Sequence, residues 1–248
     1  KSIPCIDEAG IFKALGLSYI PPELRVDYGE IGAAEQGEIP ELIEPSDIQG
    51  IFHVHTTYSD ASMTLREVVR AARGLGYHYV GIADHSKSAY YAGGLTEEKV
   101  KEQHEEIDRL NAGMKDFYIF KGVESDILPD GSLDYKDKIL ATFDFVIASI
   151  HSRFNMDETE MTERIIKALS NPYTTMLGHP TGRLLLSREG YHVDLKRVID
   201  AAAEQRVVIE LNAHPYRLDL DWRFCRYAKE RGVRISINPD AHHIEDLS

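Results

Sequence analysis

The sequence predicts an α/β barrel of the TIM type, with seven parallel strands and helices between them. Seven short apolar segments alternate with helical segments between residues 51 and 237, which is typical of parallel α/β folds. An open doubly wound sheet is the alternative, but no strand is followed by a G-x-G-x-x-G turn. Side chains with metal-binding chemistry follow nearly every strand instead. A barrel gathers the carboxyl ends of all its strands at one face, so the barrel is favoured.

The composition is that of an ordinary soluble globular protein. Of the 248 residues, 43% are hydrophobic and 28% are charged, so the chain can bury a core without disulfide bonds. Cys5 and Cys225 match no ligand spacing, and with no signal peptide visible they predict a cytoplasmic location. No stretch approaches a membrane span, so no membrane partner is expected. A formal net charge of −13 disfavours nucleic acid as a partner unless bound cations neutralise part of it.

Residues 1–49 differ from the rest of the chain. One short helix is predicted at residues 7–15, and Pro21-Pro22 ends regular structure. Acidic residues then recur among glycines and prolines without helical or strand periodicity. We interpret residues 1–49 as an acidic connector and residues 50–248 as the functional domain.

The strands and helices of that domain are read from apolar runs and capping residues. Strands are predicted at residues 51–55, 79–83, 117–123, 143–150, 174–177, 207–211 and 233–237. Thr64 and Glu67 form a capping box for the first helix. Further helices are predicted at residues 96–112, 157–169, 194–205 and 220–231.

His53 and His55 alternate in the first strand, so both point to one side of it. Alone they are equally well explained as half a metal site or as two solvent-facing histidines. The wider pattern decides between these readings, because six of the eleven histidines lie at strand ends together with four carboxylates. The full set is His53, His55, Asp60, Asp84, His85, Glu124, His151, His179, Asp240 and His242.

This set predicts a multinuclear metal site. It exceeds the ligands that one tetrahedral zinc ion uses, and imidazoles with carboxylates suit zinc, manganese or iron in a cluster of two or three divalent ions. Such clusters hydrolyse phosphate esters, and hydrolysis of a C–N bond is the nearest alternative. Glu124 is the best bridging carboxylate because it ends a central strand. Asp84 and His85 face opposite ways, so Asp84 is expected to orient a neighbouring imidazole or else to cap a loop.

Four cationic side chains are candidates for the substrate side: Lys87, Arg153, Arg183 and Arg217. Arg183 and Arg217 are preferred because arginine binds phosphate in a bidentate manner. A surface salt bridge is the alternative for each. Tyr90 and Tyr91 could stack on a base, but packing against a helix is the favoured reading.

The strand-end motifs resemble those of the polymerase-and-histidinol-phosphatase (PHP) family. They occur in order as His53-x-His55-Thr-x-x-Ser-Asp60, Ala83-Asp84-His85, Gly122-Val-Glu124, Ser149-Ile-His151-Ser, Gly178-His179-Pro and Asp240-Ala-His242. The resemblance implies a distorted seven-stranded barrel with a trinuclear metal site. It implies a first ion on His53, His55, Glu124 and Asp240. It implies a second on Glu124, His151 and His179, and a third on Asp60, His85 and His242. These nine residues form the expected catalytic set.

Residues 12–25, 178–191 and 210–220 resemble in particular the C-terminal PHP domain of bacterial family X DNA polymerases. His214 stands where that subgroup more often has asparagine, and we take it as a further substrate contact. The resemblance implies a manganese-stimulated 3′→5′ exonuclease that processes DNA 3′ ends, with a hydroxide bridging the metals as nucleophile. Its expected partners are DNA 3′ ends or other phosphate esters, and a polymerase region of a longer chain. The alternatives are a small-molecule phosphomonoesterase of the histidinol-phosphatase type and a non-catalytic, metal-stabilised docking domain.

Overall fold

The computed structural model describes residues 4–248, and the chain divides into two compact units with the boundary between Asp47 and Ile48. The first three residues of the expected connector lie outside the described residues. Within residues 4–248, no helix combines the length and apolar character needed to cross a membrane.

The larger unit is a nearly closed barrel of seven parallel strands in sequential order. Its strands are β1 (Gly50–Val54), β2 (Tyr79–Ile82), β3 (Tyr118–Asp126), β4 (Phe145–Ser149), β5 (Met176–Leu177), β6 (Val208–Asn212) and β7 (Ile235–Asn238). β1 and the chain after β7 meet through a parallel bridge between Val54 and Ala241, where His55 N donates to Ala241 O at 2.9 Å. The predicted α/β barrel is therefore confirmed.

Helices cover the outside of the barrel. After α1 (Glu8–Ala14) and α2 (Glu30–Gln36) of the first unit come α3 (Leu65–Gly74), α4 (Glu97–Ala112), α5 (Asp137–Leu140), α6 (Glu158–Leu169), α7 (Leu195–Gln205) and α8 (Cys225–Glu230). The capping box of Thr64 and Glu67 is present at the start of α3. Thr96 and Asp157 cap α4 and α6 as predicted. These local signals are reliable because a cap satisfies backbone N–H groups within its own turn.

Two helices were not predicted. α5 is a four-residue helix between β3 and β4, too short to show periodicity. α2 contradicts the expectation of a single helix in the first 49 residues. It buries only Ala34 and is bounded by Gly29 and Gly37, which both have positive φ, so its limits come from glycine conformation rather than from an apolar stripe.

The first unit is organised around Arg25. Its guanidinium forms a 2.7 Å ion pair with Glu8 and hydrogen bonds to Ile20 O. It also lies 5.2 Å from the ring centroid of Phe12 and 5.6 Å from that of Tyr19. These contacts make residues 4–47 a locally structured unit.

The barrel interior is filled by aromatic rings at its amino-terminal end. Phe52 lies with its ring centroid 4.9 Å from that of Phe145 and 5.6 Å from that of Phe120. Gly81 and Gly122 face these rings, where a Cβ atom would lie 2.2 Å from Phe52 and 2.1 Å from Phe145 respectively. Because rings close this end of the barrel, the polar side chains gather at the other end.

Candidate metal centre

The carboxylate of Glu124 lies at the middle of a buried cluster at the carboxyl ends of the strands. Its Oε1 atom is 2.9 Å from His179 Nε2, 3.2 Å from His151 Nε2 and 3.3 Å from His53 Nε2. Its Oε2 atom is 2.9 Å from His85 Nδ1 and 3.7 Å from His55 Nε2. One carboxylate therefore faces five imidazoles with its two oxygen atoms.

Asp240 closes the cluster on the side of β1. Its Oδ1 atom lies 3.2 Å from His55 Nε2 and 3.4 Å from His53 Nε2. Asp60 faces a third region, with Oδ1 3.5 Å from His242 Nε2 and Oδ2 3.7 Å from His85 Nε2. The rings of His55 and His242 stack at a centroid distance of 4.2 Å, which joins the two regions.

All nine side chains expected as ligands are brought together by the fold. They fall into four overlapping groups whose donor atoms lie within 4.8 Å of one another: His55, Asp60, His85 and His242; His53, His55 and Glu124; His53, His179 and Asp240; and His85, Glu124 and His151. The groups overlap through His55, His53, His85 and Glu124, and each offers enough ligand atoms to hold a metal ion. Their role as ligands remains a prediction.

The local backbone that presents these residues is irregular. His53, His179 and Asp240 all have positive φ, at 58°, 23° and 52°. The register between β1 and β2 shifts between Ile51 and Val54, so regular alternation does not explain how His53 and His55 come to face the same cluster. Strained conformations of this kind concentrate at functional sites, where the surrounding fold holds them.

The pKa values of His53 and His55 are shifted in opposite directions. Burial lowers the pKa of His53, but the carboxylates of Glu210, Asp240 and Glu124 outweigh it and raise this pKa well above its ordinary value. Burial, followed by the neighbouring His85 ring, lowers the pKa of His55 to about 3.

In Glu124, Asp240 and His151 the effect of nearby charges on the pKa likewise outweighs that of burial. Burial opposes ionisation of Glu124 and Asp240, yet the surrounding imidazoles keep the pKa of both carboxyl groups well below its ordinary value. Burial also lowers the pKa of His151, but Glu124 and Asp126 raise it to about 10. The centre therefore holds carboxylates whose charge must be compensated by protons or by cations.

Two buried carboxylates behind the histidines were missed by the sequence analysis. Glu210 Oε1 lies 2.6 Å from His53 Nδ1, and its Oε2 accepts from His179 N at 2.7 Å. Asp126 Oδ1 lies 2.6 Å from His151 Nδ1. A carboxylate on the far nitrogen of a ligand imidazole sets its tautomer and orientation. The available signal was Glu210 within the apolar run of β6, because an acid buried in a strand needs a partner.

Asp84 was expected to orient a neighbouring imidazole, and the structure corrects this prediction. It accepts hydrogen bonds from Thr56 N at 2.7 Å, Thr56 Oγ1 at 2.6 Å, Ser59 Oγ at 2.5 Å and Gln103 Nε2 at 2.6 Å. These bonds go to the loop after β1 and to α4 rather than to an imidazole. Asp84 thus holds the loop that carries Asp60, because its buried charge is best satisfied by several donors at once.

Arg217 and Arg183, the two arginines expected to bind phosphate, have different partners in the structure. Arg217 Nε donates to Asp240 Oδ2 at 3.1 Å, so this guanidinium lies against the centre. Arg183 donates to Arg217 O, to Leu218 O and to Asp221 Oδ2, so its donors serve the loop after β6 and the expected phosphate contact is not supported.

Lys87 and His214 also face protein groups. Lys87 Nζ lies 5.5 Å from the ring centroid of Tyr135. His214 Nδ1 accepts from Tyr216 N at 3.3 Å, and His214 belongs to none of the metal-competent groups. Neither contact supports a direct role with substrate.

Tyr90 and Tyr91 do not pack against a helix as expected, because they are 88% and 72% exposed. The Tyr91 ring lies 6.2 Å from that of His85, at the edge of the centre. Arg153 is also exposed.

Unpartnered donor atoms test whether metal ions fit. Among residues 4–248, the buried atoms without a hydrogen bond include His53 Nε2, His55 Nε2 and Glu124 Oε2, which all face the cluster. Burying such atoms without partners is costly, and a divalent cation bound between them removes that cost. Imidazole nitrogens and carboxylate oxygens without thiolates suit zinc, manganese and iron. The residues fit a metal cluster.

Sequence comparison agrees with this geometry. Residues 52–214 match the profile of the PHP domain. The chain belongs to the PHP domain family. The match includes seven of the nine cluster residues, and the other two, Asp240 and His242, follow β7 further along the chain.

Two relatives of this PHP domain differ in how much of their length it covers. It is 45% identical over 247 residues to the DNA polymerase/3′-5′ exonuclease PolX of Bacillus subtilis, covering all of this chain and 43% of that protein. It is 31% identical over 212 residues to a probable phosphatase of Caldanaerobacter subterraneus subsp. tengcongensis, covering 79% of this chain and 76% of that protein. The chain thus spans less than half of the Bacillus protein.

Solved structures share the barrel. The histidinol phosphate phosphatase of Lactococcus lactis, complexed with zinc, L-histidinol and phosphate, superposes with a TM-score of 0.59 at 18% identity, over 79% of this PHP domain and 87% of that chain. A putative histidinol phosphatase of Listeria monocytogenes gives 0.63 at 12% identity, over 80% and 97%. At 18% and 12% sequence identity, the structural similarity establishes a shared fold and nothing more.

Proposed function

We propose that this PHP domain is a metal-dependent phosphodiesterase that removes nucleotides from the 3′ ends of DNA. The observation that carries the proposal is the position of Glu124 among five imidazoles, with Asp240 and Asp60 on either side. The 45% identity to a polymerase with 3′-5′ exonuclease activity directs the proposal towards DNA. We assign catalysis to residues 50–248 and treat residues 1–49 as a lead-in.

In this proposal, His53, His55, Asp60, His85, Glu124, His151, His179, Asp240 and His242 hold two or three divalent ions, with manganese as the activating metal. Such ions, when bound, neutralise phosphoryl oxygens and make water a better nucleophile near neutral pH.

The protein supplies orientation around that centre. Glu210 and Asp126 fix the rings of His53 and His151 through their Nδ1 atoms. Arg217 holds Asp240 by one nitrogen, which leaves its remaining N–H groups to bind a non-bridging phosphate oxygen. Tyr91 stands at the edge, where an exposed ring can contact the terminal nucleotide.

The test is degradation of a 5′-labelled oligonucleotide by protein of measured metal content, with Mn²⁺ added. We expect a ladder of products shortened from the 3′ end, abolished by EDTA and by the variant His53→Ala/His55→Ala. The matched control is His78→Ala/His192→Ala, which alters two exposed histidines outside the cluster. No shortening at any metal loading overturns the proposal.

A second candidate is hydrolysis of a small phosphate monoester, because the probable phosphatase relative matches 79% of this chain and 76% of its own length. Release of inorganic phosphate from histidinol phosphate, at a kcat/KM above that for the oligonucleotide, would favour this candidate. Binding of DNA without any hydrolysis by the metal-loaded protein would instead favour a docking domain.

A further inference from the structure

An open groove lined by arginines runs between α3 and α4 on the outside of the barrel. Its volume is about 560 Å³, and it is lined by Arg66, Val69, Arg70, Arg73, Arg109, Leu110, Gly113 and Met114. Half of these residues are arginines, although the whole chain carries a formal charge of −13. Such a concentration of positive charge on an acidic protein favours the binding of an anionic partner.

One of the four arginines forms an ion pair within residues 4–248, and Arg70 also helps to lower the pKa of the nearby Glu67 carboxyl group. Arg73 forms a 2.7 Å ion pair with Asp116. Arg66, Arg70 and Arg109 make no hydrogen bond or ion pair with any side chain in the described part of the protein, residues 4–248. Guanidinium groups on one surface repel one another. An anion bound in the groove would reduce this repulsion.

The spacing of the arginines favours an extended anion. Arg66, Arg70 and Arg73 follow one another at intervals of four and three residues, so they lie along one face of α3. At about 1.5 Å of rise per residue they span roughly 10 Å, which exceeds the size of a single phosphate group. The apolar side chains of Val69, Leu110 and Met114 lie among them.

α3, which forms one side of the groove, is connected along the chain to the candidate metal centre. α3 begins directly after the loop that carries Asp60, and that loop is joined to the centre because Ser62 N donates to His242 O at 3.0 Å. Along α3, Arg66 lies near this joined end and Arg73 near the far end of the helix.

We propose that the groove binds the sugar–phosphate backbone of a single DNA strand beyond the nucleotide being removed. The inference rests on the proposed function for the choice of DNA as the anion. Guanidinium groups contact successive phosphates, and the apolar side chains contact sugars or bases. Positively charged grooves with such contacts bind single strands without reading their sequence.

The first test measures binding without hydrolysis. Fluorescence anisotropy of a labelled 20-nucleotide oligo-dT in EDTA, at several KCl concentrations, compares the wild-type protein with Arg66→Gln/Arg70→Gln. The matched control is Arg206→Gln/Arg234→Gln, because these exposed residues precede β6 and β7 and form no ion pair within residues 4–248. We expect the groove variant to bind roughly 10-fold more weakly, with a salt slope smaller by about 1.4, at about 0.7 per lost phosphate contact. Equal binding by the groove and control variants overturns the inference.

A second measurement distinguishes other occupants. Inorganic phosphate at millimolar concentration should not displace the oligonucleotide, whereas polyphosphate should. Displacement by inorganic phosphate at constant ionic strength would mean a single-phosphate site and would overturn the proposal.

A third test compares the oligonucleotide with a phosphodiester too small to reach the groove. The groove variant should hydrolyse bis-p-nitrophenyl phosphate like the wild type and show a roughly 10-fold higher KM for the oligonucleotide alone. If the wild type binds DNA through the groove but never cleaves it, the proposed function fails and the groove stands. If it cleaves DNA and the groove variant binds as tightly, only the groove inference fails.

Discussion

The Nδ1 atom of His53 lies 2.6 Å from Oε1 of Glu210, and both side chains are completely buried. Glu210 also accepts from Asn238 Nδ2 at 2.9 Å and from Asn212 Nδ2 at 3.2 Å. This carboxylate is therefore held by β6 and β7 behind a histidine that faces Glu124 and Asp240. It links the hydrogen-bond network of the barrel to the geometry of the metal centre.

Glu210→Gln should weaken metal binding and activity by roughly 10- to 100-fold, the range found for partners of ligand histidines. The amide keeps the shape but removes the charge that favours a proton on His53 Nδ1. Metal content after dialysis and the Mn²⁺ concentration for half-maximal activity measure the effect. Glu204→Gln, at an exposed position in α7, is the control. An unchanged Mn²⁺ requirement in Glu210→Gln would contradict this role.

Arg217→Gln should lower kcat/KM for a phosphate ester by roughly 10- to 100-fold, as expected for a lost hydrogen bond to a charged group. Metal content should remain, because Arg217 contacts Asp240 Oδ2 whereas Oδ1 faces His53 and His55. Arg217→Lys should restore part of the loss. Arg226→Gln in α8 serves as the control, and a kcat/KM within twofold of wild type for Arg217→Gln would exclude the assigned contact.

Gly81→Ala should destabilise the barrel by about 2 kcal/mol, as overpacking of a filled core does. A Cβ atom there would lie 2.2 Å from the Phe52 ring and 2.7 Å from the Phe145 ring. Gly74→Ala in α3 meets nothing within 4 Å and should stabilise by about 0.5 kcal/mol through helix propensity. Urea denaturation of both variants in EDTA makes the comparison. Equal stabilities would show that the rings move aside without cost.

The stability of the protein should depend on pH through His104. Burial, followed by the charge of Lys121, lowers the pKa of this imidazole from 6.5 to about 4, and its ring packs edge-on against Phe143 at 4.9 Å. Because the unfolded chain takes up a proton first, the contribution of neutral His104 is present above pH 6.5 and is lost as the pH falls towards 4.

His104→Leu should therefore lose less stability than the wild type between pH 7 and pH 5, by about 1–2 kcal/mol after allowing for solvent screening. Urea titrations in EDTA at each pH measure this difference, and subtraction of the wild-type curve removes the titration of the cluster. His192→Gln, at an exposed site, should follow the wild-type curve. Parallel curves for His104→Leu and wild type would contradict the assignment.

The sequence alone determined the architecture, because its signals are local. Each cap, such as Thr64 with Glu67, forms within one helical turn, and each apolar run marks a strand wherever it lies in the barrel. Likewise, residues that end parallel strands must meet at one face, so the convergence of His53, Glu124 and His179 followed from chain order.

Only the tertiary structure decided which groups support that face. Glu210 and Asp126 act on His53 and His151 across strands, at separations of 157 and 25 residues, and no local pattern marks such a pairing. Asp84 and Arg183 carry charges that suit a site, but Asp84 bonds to the loop after β1 and to α4, and Arg183 bonds to the loop after β6. The partner of a buried charged side chain depends on which groups lie near it in three dimensions and on the need to pair every buried charge. Neither can be inferred from the order of residues along the chain.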